Sequence, residues 1–324
     1  MSKKYLRVAA AALAILFVIF SFVIVLSLGE DDGYIPTFSF GGSNKESKSN
    51  LLVLGKDKAS GLFDVIMLVS FDSKDARVLQ IPRDTYVEYT DKNRGKINAA
   101  PKVLGEEGFC EFISGNLGVP IVGYISFDLD TFSRAVDLIG GVEMTLPRAL
   151  EYSDPEQGLY ISLPKGKQTL NGEKAQMLVR FRKGYIRGDL DRLDVQKRFM
   201  AAFFCKVKRT VNIFNVYGIA EELLPYIKTN IGAASLVSLG TKALRADADG
   251  VGFVTLPGED VRDGGASYYV MSRQSTNEVL HKYFGKSGAE FDSRGLFLNE
   301  KSQKFAAIYN KEYEYSLMMV KDLQ

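Results

Sequence analysis

Two carboxylates and an arginine that could bind a phosphorylated ligand stand at the ends of three short predicted strands. Asp57 follows the apolar stretch "LLVLGK", Asp64 begins "DVIMLVSFD", and Arg83 follows "ARVLQIP". Short strands with short connections form an antiparallel meander. In an up-down-up meander these three positions fall on the same edge of the sheet, so we expect the three side chains to converge. The alternative is structural: the aspartates cap the connecting loop, and Arg83 pairs with Asp84 on the surface.

A second cluster of charge lies in "VRFRKGYIRGDLDRLDVQKR", residues 179–198, which continues into a predicted helix from Asp191 to about Val211. The helix has an apolar stripe of Val195, Phe199, Ala202, Phe203 and Val207. Extending this stripe towards the N-terminus in steps of three and four reaches Gln196 and Arg192, so these two side chains are predicted to line a cleft. Lys197 and Asp194 point elsewhere on the wheel, and Asp194 is interpreted as a solvated charge.

The arrangement of Arg180 and Arg182 depends on the backbone between them. An extended segment puts both on one face, whereas a continuing helix splays them and lets only one reach the cleft. Guanidinium groups bind phosphate oxygens in a bidentate way, and the first turn of a helix favours anions. Asp57 and Asp64 then suit Mg²⁺ or Mn²⁺, because such a hard cation binds through one or two carboxylates plus substrate phosphate oxygens.

The order of elements predicts an α/β fold. After the meander come helix and strand in "FDLDTFSRAVDLIGGVEMTLP", a helix in "LNGEKAQML", a strand in "GVGFVTLPG" and a helix in "MSRQSTNEVLHKYFG". Strands and helices interleave without a regular βαβ repeat. This indicates a mixed central sheet covered by helices on both faces.

Composition excludes several classes of function. The formal net charge of +2 does not suggest a nucleic-acid-binding protein. His281 is the single histidine, which argues against a histidine triad or a histidine-rich zinc site. Cys110 and Cys205 lack metal-site spacing, and a disulfide between them and two buried free thiols are both open.

The N-terminus predicts a membrane anchor. Residues 8–28 carry no charge over about the length that crosses a ~30 Å hydrocarbon layer. Three basic residues precede this run and three acidic residues follow it, which places the N-terminus in the cytoplasm and the rest outside the cell. The alternative, a cleaved signal peptide, fits less well because the run is long and no A-x-A-like site follows. The predicted organisation is a cytoplasmic N-terminus (1–7), a transmembrane anchor (8–28), an extracellular linker (29–49), a catalytic domain (50–285) and a C-terminal tail without assigned structure (286–324).

Several motifs, in order, resemble those of the LytR-CpsA-Psr family of Gram-positive cell-envelope proteins. They are "LLVLGKD", "DVIMLVSFD", "ARVLQIPRDTYV", "KINAA", "LIGGVEMTLP", "GKQTLNGEKAQMLVRFR" and "GDLDRLDVQKRF". The resemblance covers residues 51–284. It departs from the family pattern at Leu62 and Phe63, where the family usually has an arginine before the second aspartate.

The resemblance implies a three-layer α-β-α sandwich, preceded here by the single anchor. It also implies a phosphotransferase that attaches glycopolymers from polyprenyl-pyrophosphate-linked donors to peptidoglycan, the lipid tail lying in an apolar tunnel between sheet and helices. By position, Asp57 and Asp64 would hold the metal, and Asp64, Arg83, Arg180 and Arg182 would be catalytic. The residues that would bind the pyrophosphate are Arg83, Lys96, Arg180, Arg182, Arg192 and Gln196. A hydrolase acting with water and a non-catalytic binder of polyprenyl phosphates or wall polymer are the alternatives.

Overall fold

The computed structural model describes most of the chain after residue 48. The described ranges are 49–58, 60–72, 75–90, 93–155, 159–181, 189–210, 215–232, 235, 239, 248–286, 296–298 and 305–323. Within these ranges no helix is long and apolar enough to cross a membrane. The predicted anchor at 8–28, the N-terminus before it and nearly all of the linker lie outside the described residues.

The strands and helices alternate along the chain. The strands are β1 (Ser49–Lys56), β2 (Phe63–Asp72), β3 (Asp75–Gln80), β4 (Tyr86–Glu88), β5 (Arg94–Lys96), β6 (Ile121–Asp128), β7 (Val142–Leu146), β8 (Leu150–Asp154), β9 (Leu159–Leu163), β10 (Gly166–Leu170), β11 (Lys228–Thr229), β12 (Val251–Thr255), β13 (Gly258–Asp263), β14 (Ala266–Met271) and β15 (Met318–Met319). The helices are α1 (Ala100–Leu117), α2 (Leu129–Leu138), α3 (Gly172–Arg180), α4 (Asp189–Thr210), α5 (Val216–Leu223), α6 (Arg273–Tyr283) and α7 (Ala306–Tyr309). Short 3-10 helices occupy Ile97–Ala99, Leu224–Tyr226, Ala248–Gly250 and Val320–Asp322.

Seven strands form the central sheet in the order β11-β6-β1-β2-β3-β12-β15. Antiparallel pairs join β1 to β2 and β2 to β3, which is the predicted meander. Parallel pairs join β1 to β6 and β3 to β12, and both outermost strands are antiparallel to their neighbours. The sheet is therefore mixed, as the sequence predicts. Four strands, β1, β3, β6 and β12, have their C-terminal ends along the same border of the sheet. We call this the carboxyl edge.

Alternation along the strands places a hydrophobic core on each face of the sheet. Leu51 and Val53 belong to a core shared with α2, α3 and α4, which we call the first core. Leu52 and Leu54 belong to a second core shared with α1 and α6. Helices thus cover both faces. Cys110 is buried in the second core and Cys205 lies half-buried against the first, and no disulfide joins the two residues.

Specific residues begin and end the helices where the sequence indicates. Asp128 caps α2 by accepting a hydrogen bond from the Thr131 N–H, and Asn171 caps α3 in the same way. After α2, Gly140 and Gly141 take positive φ values of 78° and 77°, a conformation that glycine adopts at little cost.

The C-terminal segment forms part of the fold. Strand β15 pairs with β12 at the edge of the sheet, and Val320 and Leu323 lie in the first core. Helix α4 therefore has a second partner besides the sheet. Lys197, placed off the apolar stripe by the helical wheel, is only 2% exposed, and its Nζ lies 2.9 Å from Asp194 Oδ1 and 4.0 Å from Met318 Sδ. The interpretation of Asp194 as a solvated charge is wrong, because it neutralises a buried lysine.

We expect Gly172→Ala to destabilise the protein. A Cβ at Gly172 would lie 2.3 Å from the Ser133 carbonyl oxygen, so α2 and α3 would have to separate. Overpacking of this kind costs typically about 1–3 kcal/mol. Gly218→Ala is the matched control, because nothing lies within 4 Å of its added Cβ, and it should stabilise α5 by about 0.5–1 kcal/mol. Urea denaturation measures the free energy of unfolding of both variants. Equal values for the two would contradict the close packing of α2 against α3 at Gly172.

Candidate functional site

Asp64 is the extra residue of a β-bulge at the carboxyl edge. Gly55 of β1 pairs with Val65 of β2, but the next residue, Lys56, pairs with Phe63 and skips Asp64. The bulge changes the side-chain alternation, because Phe63 and Ile66 both enter the second core although they are three residues apart. Bulges next to functional sites commonly redirect a side chain. Here the bulge takes Asp64 out of the regular β1–β2 register at the carboxyl edge.

Arg83 reaches Asp64 from the end of the neighbouring strand. Its Nη1 lies 2.6 Å from Asp64 Oδ1, and the two side chains are only 17% and 33% exposed. A charge-assisted hydrogen bond of this length, partly shielded from water, holds the guanidinium in place. The predicted convergence of these two residues is confirmed, and Asp64 is the closer partner of Arg83. Asp84, the partner in the alternative interpretation, is 4.0 Å from Arg83 Nε.

Asp84 and Lys96 extend this contact into a row of alternating charges. Lys96 Nζ lies 2.8 Å from Asp84 Oδ1, and Asp84 is 18% exposed. The β4–β5 hairpin positions Lys96, and the N–H of Asn98 donates to the Arg83 carbonyl at 3.2 Å. The sequence predicts Lys96 but treats Asp84 only as an alternative surface partner. The resulting row, Asp64, Arg83, Asp84 and Lys96, is called the charged row below.

Asp57 lies at the same edge but has a local role in the described contacts. Its carboxylate accepts hydrogen bonds from the Ser60 hydroxyl at 2.7 Å and the Ser60 N–H at 3.3 Å. Its own N–H donates to the Leu62 carbonyl at 2.8 Å. This is the loop-capping role that the structural alternative predicts. The loop nevertheless places Asp57 and Asp64 beside the paired residues Lys56 and Phe63, so both carboxylates stand at one end of the β1–β2 hairpin.

Lys58 ties this loop to the start of helix α2. Its Nζ lies 3.1 Å from Asp128 Oδ2 and 2.7 Å from Asp130 Oδ2. Burial of Asp128 favours the protonated acid, but hydrogen bonds from Thr131 and from Lys58 outweigh it and lower the pKa of Asp128 below its usual value. The two carboxylates in turn raise the pKa of Lys58, and the hydrogen bond to Asp130 is the largest single cause.

Arg180 and Gln196 lie close together on the helices that cover the first core. Arg180 is the last residue of α3, and Phe181 after it is extended, with φ −66° and ψ 131°. Gln196 is 6% exposed, and its Nε2 lies 3.4 Å from the Val179 carbonyl oxygen. Gln196 therefore links α4 to the end of α3, as expected of a residue on the buried side of its helix. Arg192 lies within α4, but its side chain, like the whole of Arg182, lies outside the described residues.

The acidic residues at the carboxyl edge set a limit on metal binding. In the part of the chain that the structure describes, no group of three or more His, Cys, Asp or Glu side chains could hold a metal ion. The protein could supply the two carboxylates of Asp57 and Asp64 at one hairpin end. This donor set fits Mg²⁺ or Mn²⁺ whose remaining ligands are substrate phosphate oxygens and water. It does not suit a cation held by protein ligands alone.

The fold and the site together define a class. A sheet whose carboxyl edge carries charged loops is the usual position for a ligand in an α/β protein, and the charged row places an arginine and a lysine there. The LytR_cpsA_psr family profile matches residues 29–284. The chain belongs to this family, as its motifs indicate.

Individual relatives agree with this assignment. The chain is 30% identical over 223 residues to Bacillus subtilis TagV, named polyisoprenyl-teichoic acid–peptidoglycan teichoic acid transferase, a match covering 67% of this chain and 57% of TagV. It thus spans little more than half the length of TagV. The crystal structure of B. subtilis TagV superposes with a TM-score of 0.63 at 26% identity, covering 75% of this chain and 100% of that one. A structure of TagT bound to LIIa-WTA gives a TM-score of 0.60 at 25% identity, covering 74% and 92%.

We expect Asp128→Ala to lower the free energy of unfolding by about 1 kcal/mol near pH 7, because it removes the N-cap of α2. The pKa of Asp128 in the folded protein is lowered, so its contribution is complete above the pKa of an unfolded aspartate, about 4. The contribution is lost as the pH falls through the folded-state value. The difference in free energy of unfolding between the wild type and Asp128→Ala should therefore shrink in acid. Chemical denaturation at several pH values from 7 to 3 measures this difference.

Asp130→Ala is the matched control for this experiment. Asp130 also contacts Lys58, but it is 64% exposed and does not cap the helix. We expect the Asp130→Ala substitution to change the free energy of unfolding by no more than about 0.5 kcal/mol at every pH. A loss for Asp128→Ala that is the same at pH 3 as at pH 7 would show that the carboxylate charge does not stabilise α2.

Proposed function

We propose that the protein transfers a phosphorylated glycopolymer from a polyprenyl-pyrophosphate donor to peptidoglycan. The observation that carries the proposal is the 2.6 Å contact between Arg83 and Asp64, which holds the guanidinium group of Arg83 in place at the carboxyl edge. Family membership and the name of the relative TagV support the substrate class. The charged row provides what a pyrophosphate needs, namely an arginine and a lysine held in position before the ligand arrives.

The chain's own residues would act mainly by positioning and neutralising charge. In the transfer, an acceptor hydroxyl oxygen attacks the glycan-side phosphorus, and the bond from that phosphorus to the bridging oxygen breaks. The lipid leaves as its monophosphate, and the hydroxyl proton is released to solvent. Arg83 and Lys96 would stabilise the charge that develops on the oxygens, an effect that is large when the donors are preorganised. Arg180, beside the buried Gln196, would contact the same head group from the helix side.

A divalent cation would complete this site. Asp57 and Asp64 are the residues that would hold it, and Mg²⁺ or Mn²⁺ bound there would neutralise phosphate charge. Asp64 would then have two functions, since its Oδ1 also accepts the hydrogen bond from Arg83. The bulge at Asp64 is suited to this, because a β-bulge can redirect the side chain of a strand residue.

The location that we propose follows from the N-terminal sequence. Residues 8–28 would form a single membrane anchor, with residues 1–7 in the cytoplasm and the catalytic domain outside the cell. A lipid-linked donor would reach the domain from the same membrane, its tail entering the apolar space between sheet and helices. Nucleic acid is not a proposed partner, because the net charge is only +2.

We expect Arg83→Ala to lower the transfer rate at least ~100-fold while the fold is retained, because a preorganised charge at the reacting phosphate is removed. The assay uses the full-length protein in detergent with a lipid-linked glycan donor and peptidoglycan fragments, and it quantifies the linked product, freed phospho-glycan and inorganic phosphate. Circular dichroism checks the fold.

Arg134→Ala is the control, because Arg134 is a surface arginine, 48% exposed and paired with Glu222. Its activity should equal that of the wild type. Near-full transfer by Arg83→Ala would refute the assigned site. Freed phospho-glycan without linked product would identify a hydrolase, and binding without turnover in the presence of Mg²⁺ would identify a binding protein.

Asp57→Asn should raise the Mg²⁺ concentration that gives half-maximal transfer by roughly tenfold or more, because a neutral amide is a weaker ligand for a hard cation. The amide oxygen still accepts the Ser60 hydrogen bonds, so the loop is preserved. Thr90→Val serves as the control, since Thr90 lies in the β4–β5 turn, at the opposite end of the hairpin from the Tyr86–Lys96 pair. An unchanged Mg²⁺ midpoint for Asp57→Asn would remove Asp57 from the metal site.

A further inference from the structure

Gln80 is a buried amide whose hydrogen-bonding capacity is unused. It is the last residue of β3, it is 1% exposed, and neither Nε2 nor Oε1 has a hydrogen-bond partner. Among the residues that the structure describes, it is the one side chain in which two buried polar atoms lack partners. Buried polar groups are nearly always paired, and an unpaired one is costly. A residue of this kind therefore suggests a ligand.

The position of Gln80 relates it to the charged row. Its backbone neighbours across the sheet are Met67 of β2 and Thr255 of β12. Alternation along β3 places its side chain on the same face as Ala76 and Val78, towards the first core. Arg83 follows three residues later, so the two Cα atoms are separated by at most about 10 Å. Gln80 thus lies just inside the carboxyl edge, on the face of the sheet that α2, α3 and α4 cover.

Other buried polar side chains lie on the same face of the sheet. Helix α4 packs on the same face, and its early turns bring in Gln196 and Lys197, both buried. Lys197 contacts Met318, whose strand β15 lies beside β12. Gln80, Gln196 and Lys197 therefore bring two amides and a lysine to a face that also carries apolar side chains such as Val78, Phe253 and Phe199. An apolar surface with a few polar groups is typical of a ligand-binding site.

We propose that the carboxamide of Gln80 binds the phosphate end of a prenyl-linked pyrophosphate from the sheet side. This rests on the proposed function and adds a residue to its site. The Nε2 group donates to a phosphate oxygen, and Oε1 accepts a hydrogen bond from water that enters with the head group. Gln80 contacts the phosphates opposite Gln196 and Arg180, so the ligand lies between sheet and helices with its charged end at Arg83.

The test is Gln80→Met, which keeps the side-chain length and removes both polar atoms. Melting temperature and ligand affinity are measured for the full-length protein in detergent, with geranylgeranyl pyrophosphate, inorganic pyrophosphate and geranylgeraniol as probes. We expect the ligand-free melting temperature to rise by about 2–5 °C, because an unsatisfied buried amide is removed. We expect the dissociation constant for both pyrophosphates to rise roughly tenfold, from the loss of a hydrogen bond to a charged group. Binding of the alcohol should not change.

Thr276→Val is the matched control. Thr276 lies in α6 on the second core, is fully buried, and has an unpaired Oγ1. This variant should also raise the ligand-free melting temperature and leave the affinity for every probe unchanged. Stabilisation of Gln80→Met with unchanged pyrophosphate affinity would overturn the proposal, as would an equal loss for the alcohol.

Arg83→Ala separates failure of this inference from failure of the proposed function. If Arg83→Ala weakens pyrophosphate binding and Gln80→Met does not, the head-group site stands and Gln80 is only a core residue. If the wild type binds neither pyrophosphate, both the site and the role of Gln80 are refuted. A weaker affinity in both variants, together with a higher ligand-free melting temperature for Gln80→Met alone, supports both.

Discussion

The site depends on the contact between Arg83 and Asp64, and that contact depends on how three strands are connected. Asp64 stands at the start of β2 and Arg83 follows the end of β3, so an antiparallel pairing is needed to bring them to one edge. The β-bulge then removes Asp64 from the regular ladder. Once the guanidinium is fixed, Asp84 and Lys96 continue the alternation of charge. Like charges without such intervening partners would repel one another in this partly shielded position.

The part of the site formed by nearby strands could be predicted from the sequence. Apolar runs separated by short turns identify the meander, and the direction of each strand follows from the previous one. This was enough to bring Asp64 and Arg83 together. The bulge was not predictable, because one extra strand residue leaves no clear mark in an apolar run such as "DVIMLVSFD". The sequence predicts Asp84 only as a surface partner of Arg83, because its contact with Lys96 depends on the separate β4–β5 hairpin.

The C-terminal segment shows a different limit. Its sequence has no periodicity that indicates a strand, and β15 is a strand of two residues that exists because β12 offers an unpaired edge. Pairing of this kind is fixed by tertiary contact and not by local propensity. The same segment covers a side of α4 that the helical wheel assigned to solvent, which explains the burial of Lys197. A wheel identifies the strongest apolar stripe of a helix but does not show how many partners the helix has.

The two cores of the protein differ in what they bring to the carboxyl edge. The second core is closed near the edge by aromatic packing, in which Tyr86 makes edge-to-face contacts with Tyr268 and Phe305. On the side of the first core, Gln80 is buried at the end of β3, and Gln196 and Lys197 of α4 are buried as well, Lys197 being paired with Asp194. An aromatic cluster would stabilise either face at least as well, since buried charges and amides are costly even when they are paired. The unpartnered carboxamide of Gln80 is therefore poorly explained by stability alone, and this is the reason for proposing that it contacts a ligand.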